Sequence, residues 1–267
     1  MIQKEINFIV NSDPLTGAIN KSAIGSSFEV NLSGKPLSVP SEAINITVEV
    51  HTATIQWTIP NIETGINDRF FLDDNGTPRN LTLDQGLYDL VGLSAEIERL
   101  LVNDGAATNI ISFAADTATQ RVVIIRNITG ITIDFDQNQT FRDILGFSAI
   151  TLASNVTAPF SVTATNVANF NIVEYFLLTA DVVDQGIRIN NTFNNVVARV
   201  YIDVRPGSQI IFRPTNPTKS PASKLRGRHI QHMAFTLTDQ TGRLVNTSDE
   251  NFSMEITIRY LIPMKLL

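Results

Sequence analysis

The sequence predicts a mainly β protein: a single jelly-roll β-sandwich carrying a small α+β insertion domain. Three observations lead there. Short strand-like runs, separated by turn residues about every 8–12 positions, fill the chain on both sides of a central segment. The only amphipathic helix pattern lies in the stretch from Leu81 to Phe147. The runs before and after that stretch are too few on either side to close a sandwich alone, so they are expected to interleave in one scaffold, 1–68 and 149–267, with 69–148 inserted.

The first strand is predicted from Ile6, Phe8 and Val10 alternating with polar neighbours, closed by the turn Asn11-Ser12-Asp13-Pro14. Phe28 to Leu32 is the next, ended by Gly34-Lys35-Pro36. Ala43 to Trp57 is long, with Ile44, Ile46, Val48 and Val50 on one face and Asn45, Thr47, Glu49 and His51 on the other, the period of a half-buried antiparallel strand. Pro60 stops it.

In the insertion, Arg69 to Leu72 and Leu81 to Leu83 flank Asp73-Asp74-Asn75-Gly76, whose Asn-Gly pair marks a hairpin. Leu90, Leu93, Ile97, Leu100 and Leu101 then recur at helical spacing, with Asp89 placed to cap the start and Gly105 just past the end. Ile110 to Phe113, Val122 to Ile125 and Ile131 to Phe135 follow as strands. The expected product is a β-α-β-β unit with the helix laid across one small sheet. After Ala153 the β pattern resumes through Phe160 to Val162, Ile172 to Leu178, Val196 to Val204, Ser208 to Phe212, Gln231 to Thr238 and Phe252 to Leu261. About eight strands outside the insertion suit a jelly roll, and no repeat at a period of about 20–50 residues points to a propeller or solenoid.

Composition narrows the class. Of 267 residues 43% are hydrophobic and only 17% charged, while Asn supplies 24 positions, so the surface is largely uncharged and polar, which suits extended contact with neighbours. There is no Cys, hence no disulfide and no thiolate metal site. Charges at Lys4 and Glu5 do not fit a signal peptide, and synthesis in a cytosol is expected, which makes the eleven Asn-x-Ser/Thr triplets a by-product of composition. The net charge of −6 hides an asymmetry: residues 60–150 carry 13 acidic and 6 basic side chains, residues 199–228 carry 7 basic and 1 acidic.

The residues offer little chemistry. His229 and His232, three apart in a strand, face opposite sides, and with no Cys or His-x-His a zinc or copper site lacks ligands. Asp134-Phe135-Asp136-Gln137-Asn138 begins like a calcium loop, but Gln139 and Leu145 fall where the loop needs Gly and Glu. No nucleophile elbow, phosphate loop or dinucleotide fingerprint occurs. No enzyme, cofactor or metal is therefore expected. Lys219, Lys224, Arg226 and Arg228 crowd a Pro/Ser-containing loop that reads as a solvated loop, as a docking surface for an acidic neighbouring subunit, or as a phosphate contact; no aromatic residue interleaves for base stacking.

Taken together, Gly86-x-Tyr88, the helix through Leu93, Ile97 and Leu100, the strand pair around Asp116 to Val123 and the closing Leu145-Gly146-Phe147, followed by Arg205-Pro206-Gly207-Ser208, Phe212-Arg213-Pro214 and Phe235 to Leu244, carry a resemblance. From about Leu81 onward the chain resembles the penton-type, single jelly-roll minor capsid proteins of double-jelly-roll-lineage viruses such as Polintons, adintoviruses, Polinton-like viruses and related tailless phages. The resemblance implies a homopentamer at the icosahedral vertices, in contact with the major capsid protein, with an insertion projecting outward where a spike or receptor could bind. It implies a virion location after synthesis in host cytoplasm, no sequence-specific nucleic acid, and no catalytic residue. The alternative from another class is a receptor- or glycan-binding spike module, for which Trp57, Tyr88 and Phe70-Phe71 are the stacking candidates.

Overall fold

In the computed structural model, residues 1–171, 173–189, 192–193, 195–205 and 207–264 are described. The first residue of the predicted strand Ile172 to Leu178 and the Pro206 of the Arg205–Ser208 turn lie outside them. In chain order the main elements begin with β1 (Ile2–Asn11), β2 (Ser27–Asn31), β3 (Ile44–Gln56), β4 (Arg69–Asp74), β5 (Thr77–Thr82) and α1 (Leu90–Asn103). Then come β6 (Ile111–Asp116), β7 (Arg121–Arg126), β8 (Ile131–Asp134), α2 (Arg142–Leu145), β9 (Thr151–Leu152) and β10 (Phe160–Thr163). The last are β11 (Tyr175–Ala180), β12 (Val196–Tyr201), β13 (Gln209–Phe212), β14 (His232–Thr238) and β15 (Ser253–Ile262).

The contacts divide these elements into two compact units, 1–59 with 173–267, and Pro60–Ile172. In the first unit, hydrogen bonding orders one sheet β1-β15-β3-β13, with Ser220–Pro221 also on β3, and the other β12-β11-β14-β2, with Ala18–Ile19 outside β2. Numbered within the unit, the sheets read 1-8-3-6 and 2-7-4-5, the interleaving of a jelly roll, and every pairing is antiparallel. The inward faces meet in an apolar core in which Phe28 packs 5.4 Å from Phe235 and 5.2 Å edge-on from Phe252.

β3 shows how alternation is kept over a long strand. Ile46, Val48 and Val50 are buried on one phase and Ala53 and Ile55 on the other. The change occurs at His51, which the pairing with β15 skips, Thr52 facing Glu255 and Val50 facing Ile256. The extra residue is a β-bulge that turns the apolar set inward again.

The second unit runs wider than 69–148 at both ends. At its start Ile62 bridges Gly86, and the Asn61 amide donates to the Tyr88 carbonyl at 2.8 Å while accepting the Tyr88 N–H at 2.9 Å. The Gly86-x-Tyr88 motif thus fastens the entry of the unit. At its end β10, expected in the roll, pairs instead with β7 from Phe160↔Arg126 to Thr163↔Val123. The single sheet predicted for this unit is also corrected: there are two, β9-β8-β4-β5 and β10-β7-β6. The hairpin and helix are as expected. Asn75 and Gly76 form the two-residue turn with φ of 52° and 86°, and the Asp89 carboxylate accepts the Gly92 N–H at 2.7 Å to cap α1.

The core of this unit joins Leu93, Ile97 and Leu101 of α1 to the strands and to four rings. Phe70 stacks on Phe141 at 5.5 Å and Phe135 on Phe147 at 5.0 Å. Leu145-Gly146-Phe147 is part of that core. Gly146 ends α2 at φ 81°, and a Cβ there would lie 2.3 Å from the Asn166 carbonyl oxygen. Gly146→Ala is therefore expected to destabilise the unit by more than about 1 kcal/mol, because the strained φ and the clash with backbone add. Urea unfolding followed on this unit's amides checks it; a midpoint equal to wild type would show that the backbone yields.

Candidate assembly surface

In the jelly-roll unit the basic segment is fixed by its backbone and free at its tips. Ser220-Pro221 pairs with β3, Ser220 opposite Val48. Ala222 and Leu225 are buried and the Lys224 N–H donates to both carboxylate oxygens of Asp184 at 3.2 Å. His229-Ile230 then pairs with Leu37-Ser38, and His232 opposite Asn31 belongs to the next strand. Lys219, just before the first anchor, and Arg226 and Arg228, between the two, are exposed, and among the described residues none of the three has an ion pair. Lys224 is half-buried near Asp181, whose carboxyl burial pushes above its ordinary value while the Ala234 N–H and the Lys224 charge pull it down. Arg226 and Arg228 flank Gly227 on a turn whose neighbours Ala222 and Leu225 are buried.

A second feature was not anticipated from the residues. Tyr175 of β11 stands opposite Tyr201 of β12, their rings 6.0 Å apart and edge-on. The Arg199 guanidinium lies over both, 4.7 Å from the Tyr201 ring and 5.5 Å from that of Tyr175. β12 is the last strand of its sheet, and on its outer side the Ile187 N–H donates to the Val196 carbonyl at 2.8 Å. Beside it a cavity of about 490 Å³ is lined by Val50, Ile187, Val197, Arg199, Tyr201 and Phe212. Tyr201 and Ile211 are more than half exposed. Strand periodicity places Arg199 and Tyr201 on one face, but only the pairing register brings Tyr175 to them.

Of the stacking candidates named from sequence, Phe71 is half-buried and lines a cavity of about 530 Å³ with Pro78 and Asn80. Trp57 and Phe70 are core residues, 6% and 0% exposed, and so are not available to stack on a sugar. Tyr88 is half-buried and its hydroxyl donates to the Asp84 carbonyl at 2.9 Å. The Asp134 carboxylate accepts from Gln137 Nε2 at 2.7 Å, Thr151 Oγ1 at 2.9 Å and the Asp136 N–H at 3.1 Å. These bonds hold it below the usual carboxylate range and fasten β8 to β9. Asp134 thus carries a structural load.

No protein-family model matches the chain and no curated protein is similar to it in sequence. Among solved structures, the mavirus penton protein is similar over 97% of this chain and 100% of its own, with 11% identity and a TM-score of 0.48. A chain of the Sputnik virophage, seen by cryo-EM, is similar over 95% of this chain and 97% of its own, with 15% identity and a TM-score of 0.42. This chain, for its part, is a mainly β protein whose first unit has jelly-roll topology.

Proposed function

We propose that the chain is a virion structural protein, the vertex protein of an icosahedral capsid, assembling as a homopentamer and seated among copies of the major capsid protein. The observation that carries the proposal is the jelly roll whose last strand, β12, bears with β11 the cluster of Tyr175, Arg199 and Tyr201. Tyr and Arg are, with Trp, the side chains most enriched among those that dominate interface energies. The low content of charged residues fits a surface largely covered by neighbours. No catalytic role is proposed. The motif resemblance from Leu81 onward supports the vertex assignment within this class, since fold alone does not specify function.

On this reading the face of β11 and β12 that carries Tyr175, Arg199 and Tyr201 is a subunit contact. Tyr201→Ala should cost about 2 kcal/mol per interface, roughly a 30-fold loss of affinity, as expected for a central aromatic contact. Native mass spectrometry checks both claims: wild type should give a five-subunit species that the variant loses at equal concentration. A monomeric wild type at all concentrations, absent from purified particles, ends the pentamer.

The basic turn serves the capsid contact. Replacing Lys224, Arg226 and Arg228 with Ser should lower incorporation into particles at low salt and flatten its salt dependence, because exposed charges act within a Debye length of about 8–10 Å and mainly on association rate. Wild-type incorporation with an unchanged salt response would leave this turn as mere solvated surface.

A further inference from the structure

In the Pro60–Ile172 unit the β9-β8-β4-β5 sheet has one face in the core and one face away from it. Phe70 and Leu72 of β4, Leu81 of β5, Ile131 and Ile133 of β8 and Leu152 of β9 are buried on the inner face. The alternate positions point the other way. There Phe71 stands opposite Asn80, and Asp73 stands between Pro78 on β5 and Thr132 on β8. Further along β8, Asp134 faces Thr151. This outer face is polar apart from Phe71 and Pro78, as the solvated side of an antiparallel sheet should be. A single half-exposed Phe on such a face needs no explanation by itself. What gives this one a meaning is the set of groups around it.

The cavity of about 530 Å³ that Phe71 lines has Pro78 and Asn80 on the β5 side, Thr132, Asp134, Gln137 and Thr151 on the β8 side, and Asp73 beside the ring. Its two other lining residues, Leu72 and Arg79, are buried, and the Arg79 guanidinium is spent on Asp74 and Asp104. Among the described residues the Asn80 carboxamide and the Thr132 hydroxyl have no hydrogen-bond partner, and neither have Asp73 Oδ2 and Gln137 Oε1. Donors and acceptors thus stand around an aromatic ring, the composition of a small-molecule site. A ligand that matches it brings an apolar face for the ring and, around its edge, groups that both donate and accept. A pyranose has both, in its C–H face and its hydroxyls. The Asp73 and Asp134 carboxylates add a sign: they favour hydroxyl donors and repel an anionic sugar.

We propose that the outer face of the β9-β8-β4-β5 sheet is a binding site for a neutral carbohydrate, one pyranose ring packed on Phe71 and its hydroxyls bonded to Asp73, Asn80 and Thr132. The site lies within the Pro60–Ile172 unit and does not depend on the vertex reading, which the subunit count tests by itself.

The test titrates lactose, maltotriose, chitotriose and mannotriose against the whole chain, each beside its sulfated form, and follows the Phe71 ring resonances by NMR. At least one neutral sugar should shift them with a Kd of about 1 mM or tighter, and its sulfated form should bind at least about tenfold more weakly. Phe71→Ala should weaken that sugar about tenfold or more. Asn80→Ala, a change at an exposed position, should weaken it about fivefold, and it decides the matter should the Phe71 variant not fold. Hexalysine stands for the other occupant that two carboxylates could draw. If it shifts Phe71 more strongly than every sugar, the face is a basic-peptide surface and the proposal falls. Equal binding of the neutral and sulfated forms, or sugar binding that Asn80→Ala leaves untouched, also overturns it. So does an unshifted Phe71 at about 20 mM of all four sugars.

Discussion

Ile97→Asp is expected to unfold the Pro60–Ile172 unit while the jelly roll keeps its protection. Ile97 is 1% exposed at the centre of the α1 stripe, between Leu93 and Leu101, and the cluster it joins is drawn from residues of that unit alone. An aspartate there has no cation within the cluster to pair with and no water to solvate it. It either holds a charge in an apolar interior or takes up a proton at neutral pH, and the lost packing of a buried Ile adds to both. The combined loss is about 4 kcal/mol or more, a large part of what a unit of this size has to lose. Hydrogen exchange resolved by segment is the measurement. Amides of α1 and β6 to β8 should exchange rapidly in the variant while those of β1, β3 and β15 stay slow; unchanged protection across α1 would mean that the helix does not depend on this face.

Arg259→Met should be nearly as damaging to the roll. Glu49 on β3 is 2% exposed, and its Oε1 accepts from Arg259 Nη1 at 2.7 Å, while Arg259 Nε reaches Glu5 Oε1 at 2.8 Å. Removing the cation strands a buried carboxylate, and breaking a buried pair from one side typically costs about 3–5 kcal/mol. Glu49→Gln in the same background should recover much of the loss, because the methionine then faces a neutral amide. Urea midpoints for the two single variants and the double variant give the coupling. Additive losses would mean that Glu49 is solvated well enough to stand alone.

Glu49 also shows where sequence reading stops. Alternation along Ala43 to Trp57 assigns it to the polar face, and it is on that face. What buries it is β15, about 200 residues further on, which no local pattern announces. The features that were legible are those written within a few residues: the Asp89 cap, the Asn75-Gly76 turn, the Leu93-Ile97-Leu101 stripe and the strands of the roll. The features that were not are matters of pairing. A short strand pattern does not name its partner: Phe160 to Val162 reads as part of the roll, and the structure pairs Phe160 to Thr163 with β7. Tyr175 and Tyr201 become one surface only through the register of β11 and β12. Lys219, Lys224, Arg226 and Arg228 were visible as charge, but the buried Ala222 and Leu225 that hold the turn look like any loop residues until the sheet beneath them is known.

The order of strands in the roll sets a timetable for making it. In each sheet the strand that arrives late in synthesis fills an interior place: β14 lies between β11 and β2, and β15 between β1 and β3. β1 therefore has no strand partner until Ser253–Ile262 exists, since all ten of its paired residues face that segment. The inserted unit, whose pairings all fall within Pro60–Ile172, meets no such wait. On the ribosome, then, the middle of the chain can be folded while the beginning still stands as open edges, and the roll closes in both sheets almost at once, when its last two strands emerge.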